Sequence, residues 1–329
     1  MSSPQRVLLT GASGFVAAHI LHALLERGLW VRCTVRSQAK AAAIAAQYPA
    51  RASQLDFAIV PDIAAPGAFD GAVVADLALE YVVHTASPFH WNVADPEREF
   101  LEPAVQGTRG LLESIKKAAP STVKRVVLTS RRVVYAPGLM NDADWNPVTW
   151  EDRVNNPMLT YIASKKFAEL AATRFIEDEK PNFDLVVLNP SLPTNVPAYL
   201  PSQDQSLDSL NTSTKRISDY MLSVPALITH SKELWVDVRD LAEVHVASLM
   251  TPGAGGQRLI VCPDQANFTG QEIVDILRRR FPEFRDTIPV GEPGIVKKEG
   301  MHLMADNSKI KRVLGVKFRT LEETVFGEL

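Results

Sequence analysis

The strongest constraint on this chain is a rhythm: short apolar runs of strand length alternate with helically spaced stretches over roughly the first 190 residues. Arg6–Thr10 opens it as a strand. Gly11-Ala-Ser-Gly14 follows, then a helical pattern to Arg27, with Gly28 placed to end that helix. Further strands are expected at Trp30–Arg36, Phe57–Val60, Tyr81–Ala86, Val123–Thr129, Asp184–Asn189 and Gln257–Val261. Helical spacing fills Phe100–Ala119 and Tyr161–Ile176. Parallel strands need long crossovers, and helices supply them, so this order predicts a parallel sheet covered on both faces. After Pro190 the rhythm changes. Residues 191–230 are rich in Pro, Ser, Thr and Asn and read as loops with one helix. Trp235–Asp240 then leads into a helix ending near Leu249, and Thr269–Arg280 and Asn307–Gly315 read as short helices.

The loop after the first strand gives the sheet a use. In Thr10-Gly-Ala-Ser-Gly-Phe-Val-Ala17, Gly11 can make a tight turn, and Gly14 lets backbone approach a pyrophosphate at a helix N-terminus. A structural turn is the alternative. The fold expected is α/β, a Rossmann-type doubly wound parallel sheet over residues 1–190, rejoined by 234–262. A smaller substrate domain, from 191–233 and 263–329, is interleaved with it. The second strand ends in Arg36-Ser-Gln-Ala-Lys40, with no carboxylate to accept ribose hydroxyls. A guanidinium with a nearby ammonium suits a 2′-phosphate, so NADPH/NADP+ is expected over NAD. The alternative for Arg36 and Lys40 is a solvated helix start. Asp62 either accepts from an adenine amino group or caps the next turn, and Arg32 points elsewhere.

Tyr161-Ile-Ala-Ser-Lys165 is the second chemical signal. Positions four apart share a helix face, so the phenol and ammonium can meet. The lysine charge would lower the phenol pKa, and the phenol could then protonate a carbonyl oxygen receiving hydride. Other groups are read more plainly. The net charge of −3 gives no reason to expect nucleic acid or an anionic membrane as partner. No signal peptide or run of 18 apolar residues is visible, and two cysteines suit reduced core positions, so a cytoplasmic protein is expected. No group of the seven histidines has zinc-like spacing, so no metal is expected. His84 is read as core, Arg278–Arg280 as a solvated helix end, and Trp91 and Tyr135 as either core or pocket lining.

Several stretches together make the pattern specific: Thr10–Phe15, Val60-Pro-Asp-Ile63, His84-Thr-Ala-Ser-Pro-Phe89, Val126–Ser130, Trp145-Asn-Pro, Tyr161–Glu169, Asn189-Pro190, Val236-Asp-Val-Arg-Asp240 and Lys317-Phe-Arg319. With them the chain resembles the extended short-chain dehydrogenase/reductase superfamily, in its dihydroflavonol reductase-like group. It is most similar to fungal NADPH-dependent aldehyde and ketone reductases of the methylglyoxal type. The resemblance implies reduction of a small-molecule carbonyl by a Ser-Tyr-Lys set; a monomer or homodimer is expected, with the choice left open by the sequence. It implies that Thr10, Gly11, Ser13, Gly14, Phe15 and Val16 hold the dinucleotide, with Arg36 and Lys40 at the 2′-phosphate. Asp62, Ile63, Thr85, Ala86, Ser87, Pro88 and Pro190 would line it, alongside Tyr161 and Lys165. Phe89, Arg131 and Leu192 are the expected substrate contacts.

Two departures stand out. The family's fifth strand ends in Thr-Ser-Ser, and its second serine polarises the carbonyl; here Thr129-Ser130-Arg131-Arg132 puts Arg131 in that place. Ser130 would substitute if the strand end shifted by about one residue. Beyond Asn189-Pro190, the family's hydrophobic pair and Gly-Pro are replaced by Ser191-Leu-Pro-Thr-Asn-Val-Pro197. Carbonyl reduction is the leading reading, with Tyr161, Lys165 and Ser130 as the catalytic set. The alternatives are a cofactor-binding protein with impaired catalysis because of Arg131, and alcohol oxidation or nucleotide-sugar chemistry on the same scaffold.

Overall fold

The computed structural model describes residues 4–88, 94–131, 138–152, 157–194, 215, 218–220, 233–294 and 303–326. Seven strands build one sheet: β1 (Arg6–Thr10), β2 (Trp30–Val35), β3 (Leu55–Ile59), β4 (Tyr81–His84), β5 (Arg125–Thr129), β7 (Asp184–Pro190) and β10 (Arg258–Val261). Its order is β10-β7-β5-β4-β1-β2-β3, and every adjacent pair is parallel. The chain winds outward from β1 through β2 to β3, then returns to place β4 on the other side of β1. That reversal leaves a crevice beyond the carboxyl ends of β1 and β4, where open α/β sheets bind ligands.

Strand alternation decides what each face buries. Val7 and Leu9 of β1 lie in one cluster with Ile20, Leu24 and Leu241. Leu8, between them, lies in the opposite cluster with Leu111, Ile115 and Phe175. Each residue is fully buried or nearly so, and each such aliphatic side chain contributes about 1.5–3 kcal/mol. The covering helices are α1 (Phe15–Glu26) and α5 (Val238–Met250) on the first face, and α3 (Glu102–Ala118) and α4 (Pro157–Glu179) on the second. Gly28 follows α1 with φ 75°, the left-handed conformation that stops a helix without a Cβ penalty. Helix α2 (Gln38–Ala45) crosses between β2 and β3.

A smaller region gathers at the carboxyl edge of the sheet. It contains a three-stranded sheet, β11 (Asn267–Phe268), β9 (Glu233–Asp237) and β8 (Leu192–Thr194), and a pair, β12 (Leu303–Ala305) with β6 (Gly138–Met140). Trp235, Phe268 and Tyr220 are buried there with Ile273 and Leu277 of α6 (Gly270–Arg280). Helices α7 (Ser308–Leu314) and α8 (Leu321–Phe326) complete the described chain. Two polar knots join this region to the sheet. Asp237 caps α5 by accepting from the Arg239 N–H at 2.7 Å and also accepts from Thr324 Oγ1 at 2.8 Å. Asp240 accepts from the Arg319 N–H at 2.6 Å and pairs with that residue's guanidinium.

The expected strand ends shift by one or two residues. β3 begins at Leu55 and β4 stops at His84, while α4 starts at Pro157, one turn before Tyr161. Cys33 lies in β2 as expected, but Cys262 stands just past β10; both are buried and unpaired. The solvated helix end expected at Arg278–Arg280 is partly engaged: Arg278 donates to the Arg285 carbonyl at 2.6 Å, and Arg279 and Arg280 pair with Glu322. Among the described residues, no helix is long and apolar enough to cross a membrane, and no group of His, Cys, Asp and Glu could hold a metal ion.

Three buried histidines make the fold acid-sensitive. Burial lowers His19 and His245 to about 4 and His84 to about 3. Between the unfolded value near 6.5 and those folded values, only the unfolded chain takes up the protons, so stability falls as pH drops. The unfolding free energy should decline from pH 7 to pH 5 by up to about 1.4 kcal/mol per pH unit for each histidine, and the thermal midpoint should fall with it. His245→Gln should reduce that slope by about a third; a midpoint independent of pH across this window would contradict the assignment.

Candidate active site

The crevice is a cavity of about 900 Å³ running from the tip of β2 to the N-terminal half of α4. Its floor is set by one buried contact. Thr10 Oγ1 lies 2.8 Å from His84 Nδ1 and accepts from the backbone N–H groups of Thr85 and Ala86, each at 3.2 Å. With its lone pairs so engaged, the hydroxyl donates to His84 Nδ1. The remaining ring nitrogen, Nε2, therefore carries the proton toward Thr108 Oγ1 of α3, at 3.3 Å. Thr85 Oγ1 closes the junction by donating to the Thr10 carbonyl at 2.6 Å.

Gly11 sits directly against this junction. Its φ is 69°, and a Cβ there would stand 2.9 Å from Ala86 Cα, which is backbone that cannot yield cheaply. Gly14 then caps α1 without a side-chain hydrogen bond, and no acidic residue occupies the helix's first turn. The free N–H groups of Phe15, Val16 and Ala17 thus present an anion-binding end on the cavity wall.

The sequence-predicted dinucleotide residues converge here. Gly11, Ser13, Gly14, Phe15 and Val16 line the cavity at α1, and Arg36, Lys40, Asp62 and Ile63 line it at the β2–β3 end. Thr85, Ala86, Ser87, Pro88 and Pro190 form the opposite wall. Thr10 lies beneath the wall and shapes it. Asp62 accepts from the Ala64 N–H at 2.9 Å, so it caps its turn while still lining the cavity. Arg32 turns away to pair with Asp56 at 2.7 Å.

Tyr161 and Lys165 lie one turn apart in α4 and reach the far end of the same cavity. Burial favours the neutral phenol, but the charges of Lys165 and Arg131, with a hydrogen bond from Arg131, outweigh it and hold Tyr161 below its ordinary value. Burial lowers Lys165, the Tyr161 phenol opposes that, and the Arg131 charge adds to it. The Arg131 guanidinium stands 5.5 Å from the Tyr161 ring centroid, and Phe100 packs edge-on against the same ring at 6.1 Å.

Ser130 is placed differently from its expected catalytic role. It lines the cavity, yet its hydroxyl donates to Glu169 at 2.7 Å. Glu169 is only 2% exposed and pairs with Arg258, which in turn stacks on Trp145. Leu192 stands half-buried on β8, outside the cavity lining. Phe89, Trp91 and Tyr135 lie outside the described residues. Sequence reading missed Glu169 and the polar role of His84. The eight-residue spacing from Tyr161 to Glu169 was the available signal for the first; nothing local marked the second.

The chain belongs to the NAD dependent epimerase/dehydratase family, whose model matches residues 7–262. A ketoreductase of Aspergillus niger is 41% identical to it over 98% of this chain and 96% of that protein. The NADPH-dependent methylglyoxal reductase of Saccharomyces cerevisiae is 38% identical over 97% and 95%. A Candida albicans protein solved in complex with NADPH superposes with a TM-score of 0.89 at 34% identity, covering 98% of this chain and 97% of that one.

Gly11→Ala tests the cavity floor. It should weaken dinucleotide binding by at least about tenfold, because the junction between β1 and β4 must open by several tenths of an ångström to admit the methyl group. Fluorescence titration with NADPH reads this directly, and undiminished affinity would contradict it.

Proposed function

We propose that this chain reduces an aldehyde or ketone to an alcohol with NADPH. The observation that carries the reading is a continuous cavity with Arg36 and Lys40 at one end and the Tyr161–Lys165 pair at the other. Among the described residues, neither Arg36 nor Lys40 has a carboxylate partner, which leaves both cations for a 2′-phosphate. The open N-terminus of α1 and the Gly11 cradle fit a pyrophosphate between those ends. The named relatives from Aspergillus niger and Saccharomyces cerevisiae support both the cofactor and the carbonyl substrate.

A bound NADPH supplies hydride to the carbonyl carbon. Tyr161 donates the proton to the oxygen as charge develops there, and Lys165 stabilises the phenolate left behind. Lys165 is held toward the sheet by the Thr129 carbonyl at 3.5 Å. Residues 1–190 with 234–262 act as the cofactor unit in this reading, and 191–233 with 263–329 act as the substrate side. The two buried, unpaired cysteines support a reducing setting such as the cytoplasm.

NADPH oxidation with a panel of aldehydes and ketones tests the proposal. Turnover should appear, and Tyr161→Phe should reduce kcat by about 100-fold or more with NADPH binding retained. Absence of turnover across the panel would favour the cofactor-binding alternative. Replacing Arg36 and Lys40 together by Ala should raise the KM for NADPH about tenfold or more while leaving that for NADH nearly unchanged. Reduction needs the protonated phenol, so kcat/KM should fall as pH rises through the lowered Tyr161 pKa. Arg131→Ser removes one cause of the lowering and should move that fall to higher pH.

A further inference from the structure

We infer that Arg131 is a carboxylate-recognition residue and that the preferred substrates are 2-oxo acids, in which a carboxylate adjoins the reducible carbonyl. The inference rests on the reductase reading and names the substrate class of that same site.

Arg131 lines the cavity where Tyr161 stands, and its Nε is buried without a hydrogen-bond partner. Two carboxylates line the same cavity, and each accepts hydrogen bonds from backbone N–H groups. Glu99 accepts from the N–H groups of Ala94 and Asp95 at 2.8 and 2.7 Å, and Asp62 accepts from Ala64. Among the described residues, Arg131 has no ion pair. The Lys165 ammonium is a second cation at the same end, since its charge and that of Arg131 both act on Tyr161. A guanidinium stays charged throughout the working pH range, so this end of the cavity carries positive charge that the described protein does not neutralise.

Geometry fixes where an anion would sit. The Arg131 guanidinium stands 5.5 Å from the Tyr161 ring centroid and lines the same cavity, so a carbonyl oxygen accepting from that phenol lies near the guanidinium. In a 2-oxo acid the carboxylate adjoins that carbonyl and can meet the planar fork with two parallel hydrogen bonds. Ser130 cannot take the same role in this arrangement, because its hydroxyl is donated to Glu169. The step balances simply: C2 accepts hydride from NADPH, the carbonyl π pair moves to oxygen, and that oxygen takes the Tyr161 proton. The products are a 2-hydroxy acid and NADP+, with the carboxylate unchanged.

The test compares pyruvate and benzoylformate with their methyl esters. The esters are the more electrophilic carbonyls, so a preference for the acids reports recognition of charge. The wild-type enzyme should favour each acid in kcat/KM by about tenfold or more, and Arg131→Ser should lower the acid-to-ester ratio about 100-fold. Arg131→Lys, which keeps charge but loses the fork, should fall between. Wild-type preference for the esters, or equal loss on acid and ester in Arg131→Ser, would overturn the inference while leaving the reductase reading intact. So would a loss confined to NADPH affinity. If no carbonyl is turned over, calorimetry with oxamate, a non-reducible pyruvate isostere, on the NADPH-loaded protein decides. Binding at least about tenfold tighter to wild type than to Arg131→Ser would sustain the carboxylate site and sink only the reductase reading. No oxamate binding would overturn both.

Discussion

The hydrogen bond between Thr10 and His84 is the contact on which the site depends. It joins the ends of two strands that are neighbours in the sheet but 74 residues apart in the chain. Because the Thr10 hydroxyl also receives two backbone N–H groups, one side chain sets the path of the segment after β4. That path brings Ala86 against Gly11, and the close approach excludes any side chain at Gly11. A neutral imidazole is required for this arrangement, since Nδ1 must accept. Burial and the nearby Lys165 charge keep His84 neutral, with its pKa lowered to about 3. The charge that serves Tyr161 thereby also helps hold the cavity floor in one protonation state.

A second constraint runs along α4. Tyr161, Lys165 and Glu169 recur every four residues and so face the end of β5 together. The first two reach the cavity, while the third is buried behind it and holds Ser130. Glu169 also pairs with Arg258, which donates to the carbonyls of Asp142 and Asp144 at 2.7 and 2.8 Å. One buried carboxylate therefore ties the helix that presents the phenol to β5, to β10 and to the segment after β6. Such a carboxylate is tolerated inside because its charge is paired and its oxygens are hydrogen-bonded.

Much of this was legible in the residues and some was not, for physical reasons. Strand and helix order follow from hydrophobic spacing, which every buried strand here obeys. Ends depend on single backbone hydrogen bonds, so β3 and β4 moved by two residues at one end. The glycine loop and the Tyr161–Lys165 pair were readable because each is a local pattern whose geometry follows from one turn or one helix. Val236–Asp240 and Lys317–Arg319 were noticed as separate stretches, yet they form one contact, Asp240 with Arg319, across 79 residues. Long-range pairing of this kind leaves no mark in local spacing. The engagement of Ser130 was hidden for the same reason: its partner Glu169 lies 39 residues away and takes its hydroxyl proton.

That competition makes the change at Arg131 more than a local substitution. With the Ser130 hydroxyl donated to Glu169, Arg131 is the neighbouring side chain set against Tyr161, its guanidinium 5.5 Å from the ring centroid. A serine in its place would supply a neutral donor. A guanidinium supplies a donor and a fixed charge, and it acts on the phenol twice, by its field and by its hydrogen bond. The same charge adds to the lowering of Lys165, a change that burial starts and Tyr161 resists. Tyr161 and Lys165 are therefore coupled to each other under one fixed charge, and the proton on Tyr161 is governed by a residue on the strand end as well as by its helix partner. An anion bound against Arg131 would weaken its field on both neighbours. Substrate charge and phenol acidity would then be coupled: an anion on the guanidinium would raise the phenol pKa and keep its proton in place until hydride arrives.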